Sequence, residues 1–268
     1  MGAQESRIQT TAGTDWGNFT NASRSGEFAD RLSTDALNEL EGLKVFSDRE
    51  ANAVLFMEEQ APTQILFLLT GQVKLSMNSS AGRRLILGIA SPGETLGLAS
   101  ALSNSRYDTT AETICPCRIA SLCRDHFLEF LTHHPAAYKN VVRELSTDCA
   151  RAYEQVRTLG LAVSAPARLA RLLLEWCANG QKTKDGTRLF CPLTHGEIGE
   201  YIGASRETVT RILSEFRYQD LLESRGSTLI IFNRRALEIC AGMGRVSPSI
   251  ECTGERRNRP AYRNMSAL

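Results

Sequence analysis

Apolar and polar residues alternate with a different period in each successive stretch of the 268-residue chain. Residues 1–30 are Thr, Ser, Asn and Gly with scattered charge and no period, which predicts a disordered tail. Leu32, Ala36, Leu37 and Leu40 then recur at helical spacing and predict a short helix from Ser33 to Leu43. Next come short apolar or alternating runs: Ala53–Phe56, Ile65–Leu69, Val73–Met77, Leu85–Ile89 and Ile119–Leu122. Gly71, Ser91-Pro92-Gly93 and Ser103-Asn104-Ser105 punctuate them. Strands at about 8–12-residue spacing with such turn signals predict an antiparallel barrel or sandwich. The runs on either side of Asn78–Gly82 predict a hairpin.

From Pro135 the period changes to a heptad. Tyr138, Val142, Leu145, Cys149, Ala152, Val156, Leu159 and Val163 recur at alternating steps of four and three. That spacing puts them on one seam of a helix about 40 Å long. Such a seam predicts a parallel homodimer, with Cys149 facing its symmetry mate; the alternative is a helix that packs its stripe on the barrel. Ser164 and Pro166 interrupt the pattern with a capping residue and a first-turn proline. The following helix, with Leu169, Leu172, Leu173 and Trp176 as its apolar face, runs to about Ala178 and stops at Asn179-Gly180. The predicted organisation is a tail (1–30), a β-roll sensor (31–134), a dimerisation helix (135–163), a winged helical domain (164–240) and a disordered basic tail (241–268). The fold class is α+β.

The last domain carries the most specific motif. Thr194-His195-Gly196-Glu197 is a capping box opening a helix with Ile198 and Ile202 on its apolar side. Gly203 turns the chain, and Ser205 caps a second helix from Arg206 to about Gln219, whose inner face is Val209, Ile212, Leu213 and Phe216. Two helices around such a turn form a helix-turn-helix, whose second helix enters the major groove N-terminus first. Arg206, Glu207, Thr210 and Arg211 share its outward, N-terminal face. Arg offers paired donors to guanine and Glu accepts from cytosine, each good contact contributing roughly 1–3 kcal/mol of discrimination. Thr194, His195, Ser205 and Thr208 at the helix starts are candidates for phosphate contacts, as is Arg225 at the tip of a predicted hairpin wing.

Charge refines this picture. The net charge of +1 averages 15 basic and 19 acidic residues in 1–163 (−4) with 16 and 11 in 164–268 (+5). The basic half holds the helix-turn-helix, as expected for contact with double-stranded DNA. Composition is 42% hydrophobic and 23% charged, ordinary for a globular chain. No apolar run approaches the ~18 residues of a membrane span. The N-terminus lacks the basic and apolar regions of a secretory signal. Eight irregularly spaced Cys then read as reduced thiols in a cytoplasmic protein. Cys115, Cys117, Cys123 and His126 cluster, but their spacing matches no metal-ligand pattern and favours buried structural thiols. The expectation for metal ligands and for catalytic residues is therefore none.

HGEIGEYIGASRETVTRILSEF and the wing after it resemble the C-terminal domain of the Crp/Fnr family, the cyclic-AMP receptor protein and FNR-type regulators. FLLTGQVKLSMNSSAGRRLILGIASPGETLGL is similar to the family's cyclic-nucleotide-binding β-roll. The resemblance covers about residues 31–238. It implies that Arg206, Glu207 and Arg211 read a TGTGA-like half-site, repeated as a palindrome. It also implies an effector pocket framed by Gly97, Leu98, Ala99, Tyr107, Asp108, Thr109, Tyr153 and Glu154. Here the chain departs from the family pattern. Leu98 stands where an acid should hold the ribose, and Tyr107-Asp108-Thr109 where Arg–Ser should hold the phosphate. Tyr153-Glu154 replaces the Thr–Ser that contacts the base. An Asp near a phosphate repels it, which argues against cyclic AMP. The first Cys is Cys115, so the N-terminal iron–sulfur ligands of the oxygen-sensing branch are absent. The resemblance makes RNA polymerase a further partner, through Lys182, Lys184, Asp185 and Arg188 in the loop between helices. The alternatives are a constitutive regulator with a non-sensing β-roll and a thiol- or metal-responsive one using the Cys115–Cys123 region.

Overall fold

A computed structural model describes residues 26–29, 32–161, 164–178 and 180–243. The bulk of both predicted tails, Val163 at the end of the seam, and Asn179 lie outside the described residues. A short helix α1 (Gly26–Ala29) and α2 (Thr34–Leu43) precede the sheets. Ser33 caps α2 by accepting from the Ala36 amide at 3.2 Å.

The sheets are built from β1 (Val45–Arg49), β2 (Val54–Phe56), β3 (Gln64–Thr70), β4 (Val73–Asn78), β5 (Arg84–Ala90) and β6 (Thr95–Leu96). Helix α3 (Leu98–Ser103) is followed by β7 (Thr110–Thr113) and β8 (Cys117–Cys123). They form two four-stranded antiparallel sheets, ordered β1-β8-β3-β6 and β2-β7-β4-β5. Phe56, Leu66, Leu68, Val73 and Ile119 fill the space between them. The expected hairpin is β4–β5, in register from Val73 opposite Ala90 to Asn78 opposite Arg84, with a bulge after Leu75.

Helix α4 (Arg124–His133) and one 3-10 turn lead into α5 (Tyr138–Leu161). Phe28, Leu40, Phe67, Phe127 and Phe130 form a second core where α1, α2 and α4 pack on β3. Each such fully buried side chain contributes roughly 1.5–3 kcal/mol. Phe28 corrects the expectation of a tail through residue 30: it is fully buried, and its carbonyl accepts from the Asn140 amide at 2.7 Å. Apolar burial ties this segment to the domain although its neighbours are polar. His133 ends α4 and His134 caps it, both reaching Glu39 on α2, at 3.2 and 2.8 Å.

The C-terminal domain comprises α6 (Ala165–Ala178), β9 (Gln181–Thr183), β10 (Gly186–Phe190), α7 (His195–Ile202), α8 (Arg206–Tyr218), β11 (Leu222–Arg225), β12 (Thr228–Ile231) and α9 (Arg234–Cys240). Leu169, Leu173, Ile198, Ile202, Val209 and Leu213 form its core. The strands make one antiparallel sheet, β11-β12-β10-β9. Lys182, Lys184, Asp185 and Arg188 therefore sit on a β-hairpin of the wing sheet rather than in a loop. Ala241, assigned by pattern to the second tail, is buried against this domain. Among the described residues no helix is long and apolar enough to cross a membrane.

The two domains touch. Ile86 of β5 belongs to the C-terminal core, with Ile89 and Ile114 packed beside it. Lys74 of β4 is buried between Glu112 of β7 at 2.9 Å and Glu197 of α7 at 2.7 Å. Arg84 of β5 holds the other Glu112 oxygen at 2.7 Å. The buried Gln155 amide of α5 donates to the carbonyls of Ile86 and Tyr201, at 3.1 and 2.9 Å.

Candidate nucleic-acid interface

Helix α7 begins with the capping box expected from Thr194 and Glu197. The Thr194 hydroxyl accepts from the Glu197 amide at 3.2 Å, and the Glu197 carboxylate accepts from the Thr194 amide at 2.8 Å. Gly203 ends the helix at φ +64°, a left-handed conformation that sharply reverses the chain. Ser205 caps α8 by accepting from the Thr208 amide at 3.2 Å. Val209, Ile212, Leu213 and Phe216 face inward and are buried, fixing the helix roll. Arg206, Glu207, Thr210 and Arg211 consequently stand exposed together at its N-terminal end.

Their chemistry suits base edges. Glu207 accepts from its own amide and from Ser205, which holds its carboxyl below the usual range and keeps it ionised as an acceptor. Among the described residues no ion pair within hydrogen-bonding distance engages Arg206 or Arg211. Thr210 also braces the motif. Its hydroxyl donates to the Arg206 carbonyl at 2.9 Å and meets the His195 Nδ1 at 2.9 Å, tying α7 to α8. Arg225 is at the wing tip as expected, but Glu223 clasps it through two 3.1 Å bonds. A phosphate contact there requires that clasp to open.

The β-roll side is arranged differently. Gly97 caps α3 at φ +78°, and a Cβ built on it would lie 2.8 Å from Cε1 of Tyr107. Tyr107 is turned inward, stacked on Phe56 with centroids 4.1 Å apart, its hydroxyl donating to the Gln64 carbonyl at 2.7 Å. Gly97 and Tyr107 are thus brought together, with Leu98 buried in the core and Ala99 and Asp108 exposed. Thr109 is half-buried. Tyr153 and Glu154 lie exposed on α5, Glu154 paired with Arg157 at 2.9 Å. The seam residues Tyr138, Val142, Cys149, Ala152 and Val156 are exposed in the single chain, while Leu145 and Leu159 are half-buried. Cys115 and Cys117 are buried, whereas Cys123 and His126 are exposed. No group of three or more ligating side chains among the described residues is placed to hold a metal ion.

Two family models match the chain: a cyclic nucleotide-binding domain over residues 48–134 and a Crp-like helix-turn-helix domain over 167–240. The chain belongs to the Crp/Fnr family of transcription regulators. It is 26% identical over 184 residues to the CRP-like cAMP-activated global transcriptional regulator of Mycobacterium tuberculosis, covering 68% of this chain and 82% of that one. A global nitrogen regulator of Synechocystis is 26% identical over 70% of this chain and 84% of its own length. The fold matches that of FixK2 from Bradyrhizobium japonicum, with TM-score 0.66 and 22% identity over 74% of this chain and 96% of that one. In this Crp/Fnr regulator, Lys74 and Gln155 join the two domains and were not legible in the sequence. A lysine between Val73 and Leu75 reads as the solvent side of an alternating strand, because nothing local indicates that a second domain covers it.

Proposed function

We propose that this Crp/Fnr regulator is a homodimer that reads a TGTGA-like palindrome in the bacterial cytoplasm. The observation that carries this reading is the exposed Arg206, Glu207 and Arg211 face at the N-terminal end of a helix whose roll is fixed by its buried side. Two copies of α8, joined through the α5 seam, would enter successive major grooves ~34 Å apart. Thr194, His195, Ser205, Thr208 and Arg225 would hold the phosphates. The exposed charges of Lys182, Lys184, Asp185 and Arg188 give RNA polymerase a contact beside the wing.

The M. tuberculosis relative is named as cAMP-activated. Here the regulatory input is a different one, because Tyr107 fills the space beside Gly97 and puts no cation there. A binding titration with a palindromic duplex tests the reading. The wild type should prefer the palindrome over a scrambled duplex, and cyclic AMP should leave that affinity unchanged. Arg206→Ala should lose about 1–3 kcal/mol of the preference. Equal preference in wild type and variant would refute the assigned readout.

A further inference from the structure

Two thiols meet where the sensor strands turn toward the DNA-binding domain. Cys115 and Cys117 flank Pro116 at the turn between β7 and β8, 5% and 3% exposed. The Cys117 thiol also approaches the carbonyls of Cys115 at 3.1 Å and Gln72 at 3.4 Å. The turn is pressed onto the one between β3 and β4. Gly71 there has φ +91° and no room for a side chain, since a Cβ would collide with the Cys117 sulfur and lie 2.7 Å from the Pro116 carbonyl. The Gln72 carbonyl also accepts from the Ile114 amide at 2.8 Å. Both strands leaving this junction run to the domain interface. Lys74, two residues after Gln72, and Glu112, three before Cys115, meet in the ion pair that holds Glu197. Ile114 packs on the C-terminal core.

We propose that Cys115 and Cys117 are an oxidisable dithiol, the site at which a hydroperoxide installs an intrachain disulfide that loosens the β-roll's hold on α7. The Cys115 thiolate attacks a peroxide oxygen and the O–O bond breaks. With hydrogen peroxide the departing oxygen takes a proton and leaves as water, and Cys115 becomes a sulfenic acid. The Cys117 sulfur then attacks the Cys115 sulfur. The S–O bond breaks, and hydroxide leaves with the Cys117 proton as a second water. Two thiols are oxidised to one disulfide, and one peroxide is reduced. The local electrostatics suit this order. The hydrogen bond from Cys117 outweighs burial and holds the Cys115 thiol at about 7, while the same contact and burial push Cys117 up. Disulfide formation removes the Cys117 hydrogen and redirects its sulfur. The Gln72 carbonyl then keeps only the Ile114 amide as donor, which weakens the hold on the strand that carries Lys74.

The thiol site and its effect on α7 do not depend on DNA; only the consequence for operator binding rests on the function proposed above. The test treats the reduced full chain with hydrogen peroxide, then combines differential alkylation, peptide mass spectrometry and amide hydrogen exchange. The peptide containing both cysteines should lose two hydrogens and become resistant to alkylation. Exchange of the α7 amides should accelerate at least ~5-fold, and dithiothreitol should reverse both changes. Cys115→Ser should abolish both, and Cys117→Ser should leave a Cys115 sulfenic acid that dimedone traps. Cys123→Ser should behave as wild type. A peptide that keeps both thiols, or oxidation confined to Cys123 and Cys149, overturns the site. A disulfide that leaves α7 exchange unchanged overturns the linkage. If α7 responds while palindrome binding is absent in both redox states, the DNA reading fails and the thiol site stands.

Discussion

Lys74 concentrates the electrostatics of the molecule in one ammonium group. Burial opposes its charge, but hydrogen bonds to Glu197 and Glu112 outweigh that and raise it above the usual lysine range. Burial likewise opposes ionisation of Glu112 and Glu197. The lysine, with Arg84 beside Glu112 and the Thr194 bonds to Glu197, wins and holds both carboxyls below their ordinary range. A lowered carboxyl contributes stability above its unfolded value and loses it as pH falls through the lower folded value. A raised ammonium contributes below its unfolded value and loses it as pH rises through the higher one. The clasp should therefore hold across neutral pH and fail below the ordinary carboxylate range. Lys74→Met leaves Glu112 and Glu197 facing each other and should cost roughly 2–3 kcal/mol at neutral pH, read by urea denaturation. In that variant the stability lost below about pH 5 should shrink, because the carboxylates no longer share the Lys74 ammonium and keep only Arg84 and the Thr194 bonds. Glu200, whose Oε2 is buried without a hydrogen-bond partner among the described residues and 3.8 Å from Arg84, is pushed up by burial. Glu200→Gln should accordingly leave neutral-pH stability unchanged or higher.

Helix α5 is where periodicity carried the most information. The four-and-three spacing of Tyr138 through Leu159 is visible in the chain, and Tyr138, Val142, Cys149, Ala152 and Val156 of that spacing stand exposed along one stripe. The opposite face was not legible. Gln155 adjoins the seam residue Val156 in sequence and looks like any polar heptad position, yet it is buried where two domains meet. Likewise α7 and α8 were readable to within a residue, because caps, a turn glycine and inner-face spacing all act locally. Strands β9 and β10 were not, since Gln181–Thr183 is exposed and becomes a strand only by pairing with β10, itself held by β12. If the stripe is a dimer seam, Val142→Glu with Val156→Glu places four charges across it in the dimer. That double variant should sediment as a monomer and lose palindrome affinity by at least ~10-fold while keeping its helical content. An unchanged sedimentation coefficient would assign the stripe to some other contact.

At the scale of the whole molecule, a near-neutral chain hides two regions of opposite sign, and even the helix-turn-helix with its wing is not basic. Residues 194–240 hold six basic and seven acidic side chains. Affinity should then rest on a few placed arginines and on the spacing between two recognition helices, with a shallower salt dependence than a basic surface would give. In the proposed dimer that spacing would depend on how each C-terminal domain sits on its β-roll, through Lys74, Gln155 and Ile86. The dithiol, the clasp and the recognition helix thus form one mechanical series. The central claim is that α8 reads DNA as one half of a symmetric pair. Selection from a pool of randomised duplexes tests it without presupposing the site. The enriched sequences should be two-fold symmetric, with TGTGA-like half-sites centred about one helical turn apart. Recovery of no consensus, or of a single half-site without its symmetry mate, would contradict it.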